Sequence, residues 1–131
     1  MIEEISNIKS NGFKVLAKSI YMPGMSNLSK SEYFFAYLIR IYNESENPAT
    51  LRSRYWEITN GYGETQIVKG VGVIGEQPTI LPNKSHSYSS YCSLKTPFGF
   101  MQGHYQMERQ NGAFFNIKVP VFQLITPESI N

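Results

Sequence analysis

Cysteine is almost absent from this chain. Cys92 stands alone among 131 residues, so one copy can form neither an internal disulfide nor a cysteine-built metal site. Charge is sparse too: 17% of residues are charged, against the ~25% usual for globular domains. The 12 Lys and Arg nearly cancel the 10 Asp and Glu, leaving a net charge of +2. That balance provides no basic footprint for nucleic acid and no attraction to an anionic membrane surface. No apolar run approaches the ~18–20 residues that a membrane span needs. The opening Met1-Ile2-Glu3-Glu4-Ile5 lacks the basic and apolar regions of a secretory signal. A soluble cytoplasmic protein is the default expectation.

Aromatic residues are abundant, with 9 Tyr, 8 Phe and one Trp, a composition that suits strands better than surface helices. The length predicts one domain over residues 1–131, its core spanning about residues 12–125. Period-two alternation is the strongest pattern. In Glu32–Asn43, the positions Tyr33, Phe35, Tyr37, Ile39 and Ile41 form an unbroken apolar face. Phe13, Val15 and Ala17 with Tyr21 mark an earlier strand. Further strands are expected at Ala49–Thr59, Glu64–Lys69, Ser85–Leu94, Gly99–Glu108 and Phe114–Phe122, separated by Asn, Gly and Pro turn signals. Pro23–Lys30 reads as a long, mobile hairpin loop, and Thr126–Asn131 as a frayed end. Such spacing without amphipathic helices indicates an all-β chain, an antiparallel sandwich or barrel.

Gly70-Val71-Gly72-Val73-Ile74-Gly75 matches G-x-G-x-x-G. A dinucleotide site needs a helix directly after the glycines. Here Glu76-Gln77-Pro78 and then Pro82 follow, and the prolines forbid it. Two readings remain: a close-packed crossover between strands, or an anion contact through the N–H groups of Gly70, Gly72 and Gly75, with Lys69 or Arg54 adding charge. His86 and His104 are the only histidines. Neither has a carboxylate at ligand spacing beside it, so both are weak metal candidates and surface positions on strands are the simpler reading. Alternation puts Arg52, Arg54 and Trp56 on one face, with Ser53 and Tyr55 on the other. Arg54 and Tyr55 are the residue types of interface anchors, and Tyr88 and Tyr91 are further candidates. Met101, Tyr105 and Met107 read as core, and Gly103 as a bulge or a close backbone approach. No nucleophile stands with a base, so neither an enzyme nor a cofactor is expected.

These segments resemble the ApaG family. The resemblance is carried by Ser53-Arg54-Tyr55-Trp56-Glu57-Ile58-Thr59, by the glycine run entering Gly75-Glu76-Gln77-Pro78, and by the Gly99-x-Met101-x-Gly103-x-Tyr105-x-Met107 pattern. Tyr55 stands where family members often carry His. The resemblance implies a fibronectin type III-like or immunoglobulin-like β-sandwich. It also implies a protein-interaction module, as ApaG-like domains are taken to be in F-box and polymerase-interacting proteins. Bacterial members are associated with cobalt and magnesium tolerance and with the neighbourhood of diadenosine tetraphosphate hydrolysis. The first expectation is therefore a non-enzymatic module binding a protein partner, or a second copy as a homodimer, through a sheet face or edge. The alternative is a sensor of pyrophosphate or diadenosine polyphosphate using the glycine segment.

Overall fold

The computed structural model describes residues 4–129. It contains the strands β1 (Ser6–Ser10), β2 (Phe13–Tyr21), β3 (Tyr33–Asn43), β4 (Ala49–Asn60), β5 (Thr65–Val71), β6 (Thr79–Ile80), β7 (Ser85–Leu94), β8 (Phe98–Arg109) and β9 (Phe114–Ile125). One sheet runs β1-β2-β3-β7. The other runs β5-β4-β8-β9, with β6 pairing β4 beyond the end of β5. Every pairing is antiparallel. The fold is an all-β sandwich, as the alternation predicts. No helix among the described residues is long and apolar enough to cross a membrane.

The core forms where the two apolar faces meet. Phe35, Tyr37, Ile39 and Ile41 of β3 are buried, as are Phe13, Val15 and Ala17 of β2. Trp56, Met101, Tyr105, Met107, Ile117 and Phe122 oppose them from the other sheet. Each of the larger apolar side chains contributes about 1.5–3 kcal/mol by leaving water. Trp56 is central, meeting Tyr37, Tyr105 and Phe122 in edge-on contacts at 5.5, 6.2 and 6.0 Å.

Two bulges break the simple alternation. The register of β4 against β8 shifts between Leu51 and Ser53, so burial passes from Ala49 and Leu51 to Trp56. This corrects the placement of Arg52 with Arg54 and Trp56. Arg52 lies at the bulge, and its Nε bonds the carboxylate of Glu108 at 2.7 Å, on the parity of β8 that also carries His104 and Gln106. The second shift lies opposite Met101–Gly103, within Val119–Phe122 of β9, where Pro120 has no N–H for a ladder. Gly103 also permits a close approach, because a Cβ there would overlap the Tyr55 carbonyl oxygen.

The loop before β3 is more ordered than a mobile hairpin suggests. It folds into 3₁₀ turns at Pro23–Met25 and Leu28–Lys30, and the Asn27 and Glu32 backbones bond each other. The frayed end is also corrected. Thr126 is buried, and its N–H bonds the Pro97 carbonyl at 3.0 Å; Ile130 and Asn131 lie outside the described residues, as does the start Met1–Glu3. β1 carries only Ile8 as an apolar residue, too weak a pattern to announce a strand.

The two sides of the sandwich differ. On one, β9 is tied to β1 and β2: the Lys118 N–H bonds Ser10 Oγ at 2.8 Å, Asn11 Nδ2 bonds the Asn116 carbonyl at 2.6 Å, and Ser19 Oγ bonds that of Gln123 at 2.6 Å. On the other, β5 and β7 end their sheets, and their outer edges face an open mouth.

Candidate functional site

The glycine run lies at this mouth. β5 leaves the edge of β4 at Val71, opposite Ser53, and the chain rejoins β4 where Thr79 meets Thr50. The detour spans the β4 bulge and is pinned at both ends, since the Gly72 N–H bonds the Arg52 carbonyl at 2.8 Å and the Leu51 N–H bonds that of Pro78 at 2.9 Å. Val73 and Glu76 exchange backbone bonds of 2.8 and 3.0 Å around a tight turn. Ile74 and Gly75 in that turn have φ of +48° and +73°, the signature of a type I′ turn. The N–H groups of Gly72, Val73 and Glu76 are thus spent on backbone carbonyls, and Gly70 sits in the ladder opposite Arg54. A β-branched residue at positive φ is strained. Ile74→Asn should therefore stabilise the protein by about 1 kcal/mol, an outcome checked by urea unfolding; a loss of stability would contradict this reading of the turn.

The first glycine has a different purpose. A Cβ on Gly70 would come within 2.5 Å of Arg54 Nη2 and 2.6 Å of Arg54 Cζ. Its missing side chain makes room for the guanidinium, which is half-buried. Arg54 Nη1 donates to the Val71 and Gly72 carbonyls at 3.1 and 2.9 Å. Arg54 lies opposite Tyr105 in the ladder, and its charge acts on the inward hydroxyls of Tyr37, Tyr88 and Tyr105. Burial raises the pKa of all three tyrosines, and Arg54 partly opposes that rise. The Tyr88 and Tyr105 hydroxyls bond each other across the two sheets, while Ser90 lies opposite Tyr37 in the β3–β7 ladder. Tyr88 is therefore an inward, bonded residue rather than a surface anchor, whereas Tyr91 is exposed.

Alternation places Arg54 and Tyr55 on opposite faces of β4, and they lie so. Tyr55 faces outward, stacked on His104 with ring centroids 4.8 Å apart and with Lys69 Nζ 5.7 Å from its ring centre. The two histidines are not brought together. His104 is on the outer face of β8, while His86 lies half-buried on β7, its Nε2 3.9 Å from the Glu76 carboxylate. Among the described residues, no three of His, Cys, Asp and Glu gather into a set that could hold a metal ion.

Cys92 points inward from β7, its Sγ 3.7 Å from Met101 Sδ. Burial pushes its pKa from 9.0 up to about 12, so the reactive thiolate is scarce at neutral pH. An unfolded chain releases this proton first, so the group's contribution to stability falls as pH rises above about 9. Iodoacetamide at pH 8 should label the native protein about 100-fold more slowly than the urea-unfolded chain. Equal rates would contradict the burial.

Sequence reasoning singled out side chains of β7 (His86, Tyr88 and Tyr91) but not its backbone edge, yet β7 is the longer of the two open edges. Its ten residues, Ser-His-Ser-Tyr-Ser-Ser-Tyr-Cys-Ser-Leu, contain no Asp, Glu, Lys, Arg or Pro. The Asn43 N–H bonds the Lys84 carbonyl at 3.0 Å, which fixes the ladder's phase. Antiparallel pairs alternate between bonded and non-bonded, so the residues opposite Ile41, Ile39, Tyr37 and Phe35 bond β3. Ser85, Ser87, Ser89, Tyr91 and Ser93 accordingly direct N–H and C=O groups toward the open edge. The available signal was a long strand with neither charge nor proline, but edge status depends on topology. At one end of the mouth, Ile58, Gln66, Ser93 and Leu94 line part of a cleft of about 570 Å³.

Comparison with known proteins connects these features to a family. The family model described as the ApaG domain matches residues 23–109. Protein ApaG of Aromatoleum aromaticum is 42% identical over 125 residues, covering 94% of this chain and 98% of that protein. Protein ApaG of Salmonella arizonae is 42% identical over 117 residues, covering 89% and 94%. A solved structure of a Northeast Structural Genomics Consortium target superposes with a TM-score of 0.87 at 40% identity, covering 92% of each chain. The structure of the putative ApaA protein from Bordetella pertussis gives 0.85 at 38% identity, covering 89% of this chain and 95% of that one. The matched stretch includes the β4 bulge, the glycine detour and the whole of β7, and on these matches the chain belongs to the ApaG family.

Proposed function

We propose that this domain is a non-enzymatic interaction module that binds an extended segment of a protein partner by adding it to β7 as a further strand. One observation carries the reading: a ten-residue open edge without charge or proline. Native proteins usually blunt such edges with lysine, proline, bulges or covering loops. The other open edge, β5, carries Lys69 within its span, a common device against strand addition. Backbone bonding supplies affinity in this mode, and alternate side-chain positions supply specificity.

The test is a displayed library of twelve-residue peptides selected on the wild-type protein and on Ser89→Pro. Ser89 directs its N–H outward, so proline there removes an edge donor without breaking a bond to β3. Peptides enriched on the wild type should bind Ser89→Pro at least ~10-fold more weakly, while its melting temperature stays within a few degrees. Binders indifferent to Ser89→Pro would overturn the edge as the site. A dimer that dissociates on Ser89→Pro would replace the partner's strand with a second copy.

A further inference from the structure

We infer that Arg54 forms a carboxylate seat in the mouth between β5 and β7, and that the segment added to β7 carries an acidic residue facing inward at that point. The inference rests on the strand-addition reading and names the chemistry of its partner.

Unspent donors support it. Arg54 uses Nη1 on two backbone carbonyls. Its Nε and Nη2 have no hydrogen-bond partner among the described residues, and no described carboxylate forms an ion pair with it. The Tyr88 and Tyr105 hydroxyls carry two protons but share one bond, leaving one proton to donate. The Trp56 indole N–H is buried among the rings of Tyr37, Tyr105 and Phe122 and has no partner among the described residues. That N–H lies in the core behind the seat; the donors at Arg54 itself are its free Nε and Nη2, and the guanidinium is the one cation there. Its complement is an oxyanion that accepts a charge-assisted, two-point bond from guanidinium.

Position selects the source of that anion. Gly70 berths the guanidinium beside the β5 edge, and Tyr88 and Ser90 face it from β7. A strand added to β7 lies ~4.8 Å from it and points alternate side chains toward the inner face. An inward Glu or Asp in register with Tyr88 or Ser90 then projects toward Arg54. The outward residues of the same segment lie along the uncharged Ser87, Ser89 and Tyr91, with the exposed Arg40, its Nε bonded to Ser87 Oγ at 2.8 Å, as a cation beside them.

The experiment uses two synthetic decamer libraries, identical except for a fixed central Glu or Gln, bound to wild type, Arg54→Met, Gly70→Ala and Ser89→Pro. The Glu library should bind wild type at least ~10-fold better than the Gln library. That preference should vanish on Arg54→Met, with the larger loss in Glu-library binding. Gly70→Ala keeps the charge but displaces the guanidinium, so it should narrow the preference even if Arg54→Met fails to fold. Equal binding of the two libraries, lost on Ser89→Pro, would sink the seat and leave strand addition standing. Binding of neither library would remove both readings. A Glu preference that persists in both Arg54→Met and Gly70→Ala would place the carboxylate elsewhere.

Discussion

Replacing Gly72 with alanine is expected to lower the unfolding free energy by about 3 kcal/mol or more, while the same change at Gly75 costs about 1 kcal/mol. Both glycines have positive φ, +62° and +73°, so both substitutions carry the left-handed penalty. The difference is in what a Cβ would meet. At Gly75 nothing lies within 4 Å; at Gly72 the added carbon would overlap the Glu76 carbonyl oxygen. That oxygen accepts the Val73 N–H at 2.8 Å, so it cannot retreat without opening the turn that returns the chain to β4. Urea midpoints at constant slope measure both losses. Equal losses would mean that the glycines serve only backbone conformation, and that the close approach at Gly72 carries no energy.

Trp56→Ala should cost about 3–5 kcal/mol, and Trp56→Phe about 1–2 kcal/mol. Trp56 is 2% exposed and meets three aromatic rings edge-on, contacts worth about 0.5–1.5 kcal/mol each beyond the area buried. Alanine removes all three and leaves a cavity that flanking strands cannot close. Phenylalanine keeps part of the contact, and no hydrogen bond is lost, because the indole N–H has no partner among the described residues. Circular dichroism must follow this unfolding, since Trp56 is the only tryptophan. A Phe variant as unstable as the Ala variant would show that the indole N–H bonds a group in solution.

The strands were legible where one face is buried and alternation is uninterrupted. β3 and β7 could be delimited to within a residue because Tyr33–Ile41 alternates without a break and turn residues flank Ser85–Leu94. Arg52 was misplaced because a bulge changes parity without changing composition. β1 and the two-residue β6 were missed because neither is long or apolar enough to show a period. Within the candidate site, the opposite facing of Arg54 and Tyr55 follows from period two alone. The fit of Gly70 to Arg54 does not, since it depends on the register of β4 against β5 across a turn. The open edge of β7 was equally hidden: strand order decides which strands are edges, and local sequence does not state strand order.

Amide hydrogen exchange on β7 tests strand addition most directly. In the free protein, the N–H groups of Ser85, Ser87, Ser89, Tyr91 and Ser93 should exchange fast while those of His86, Tyr88, Ser90 and Cys92 are protected by β3. A saturating selected peptide should slow the first set by at least ~10-fold and leave the second set near its free rates. Slowing confined to the outer face around Tyr55 and His104, with the alternate β7 amides still fast, would contradict the account.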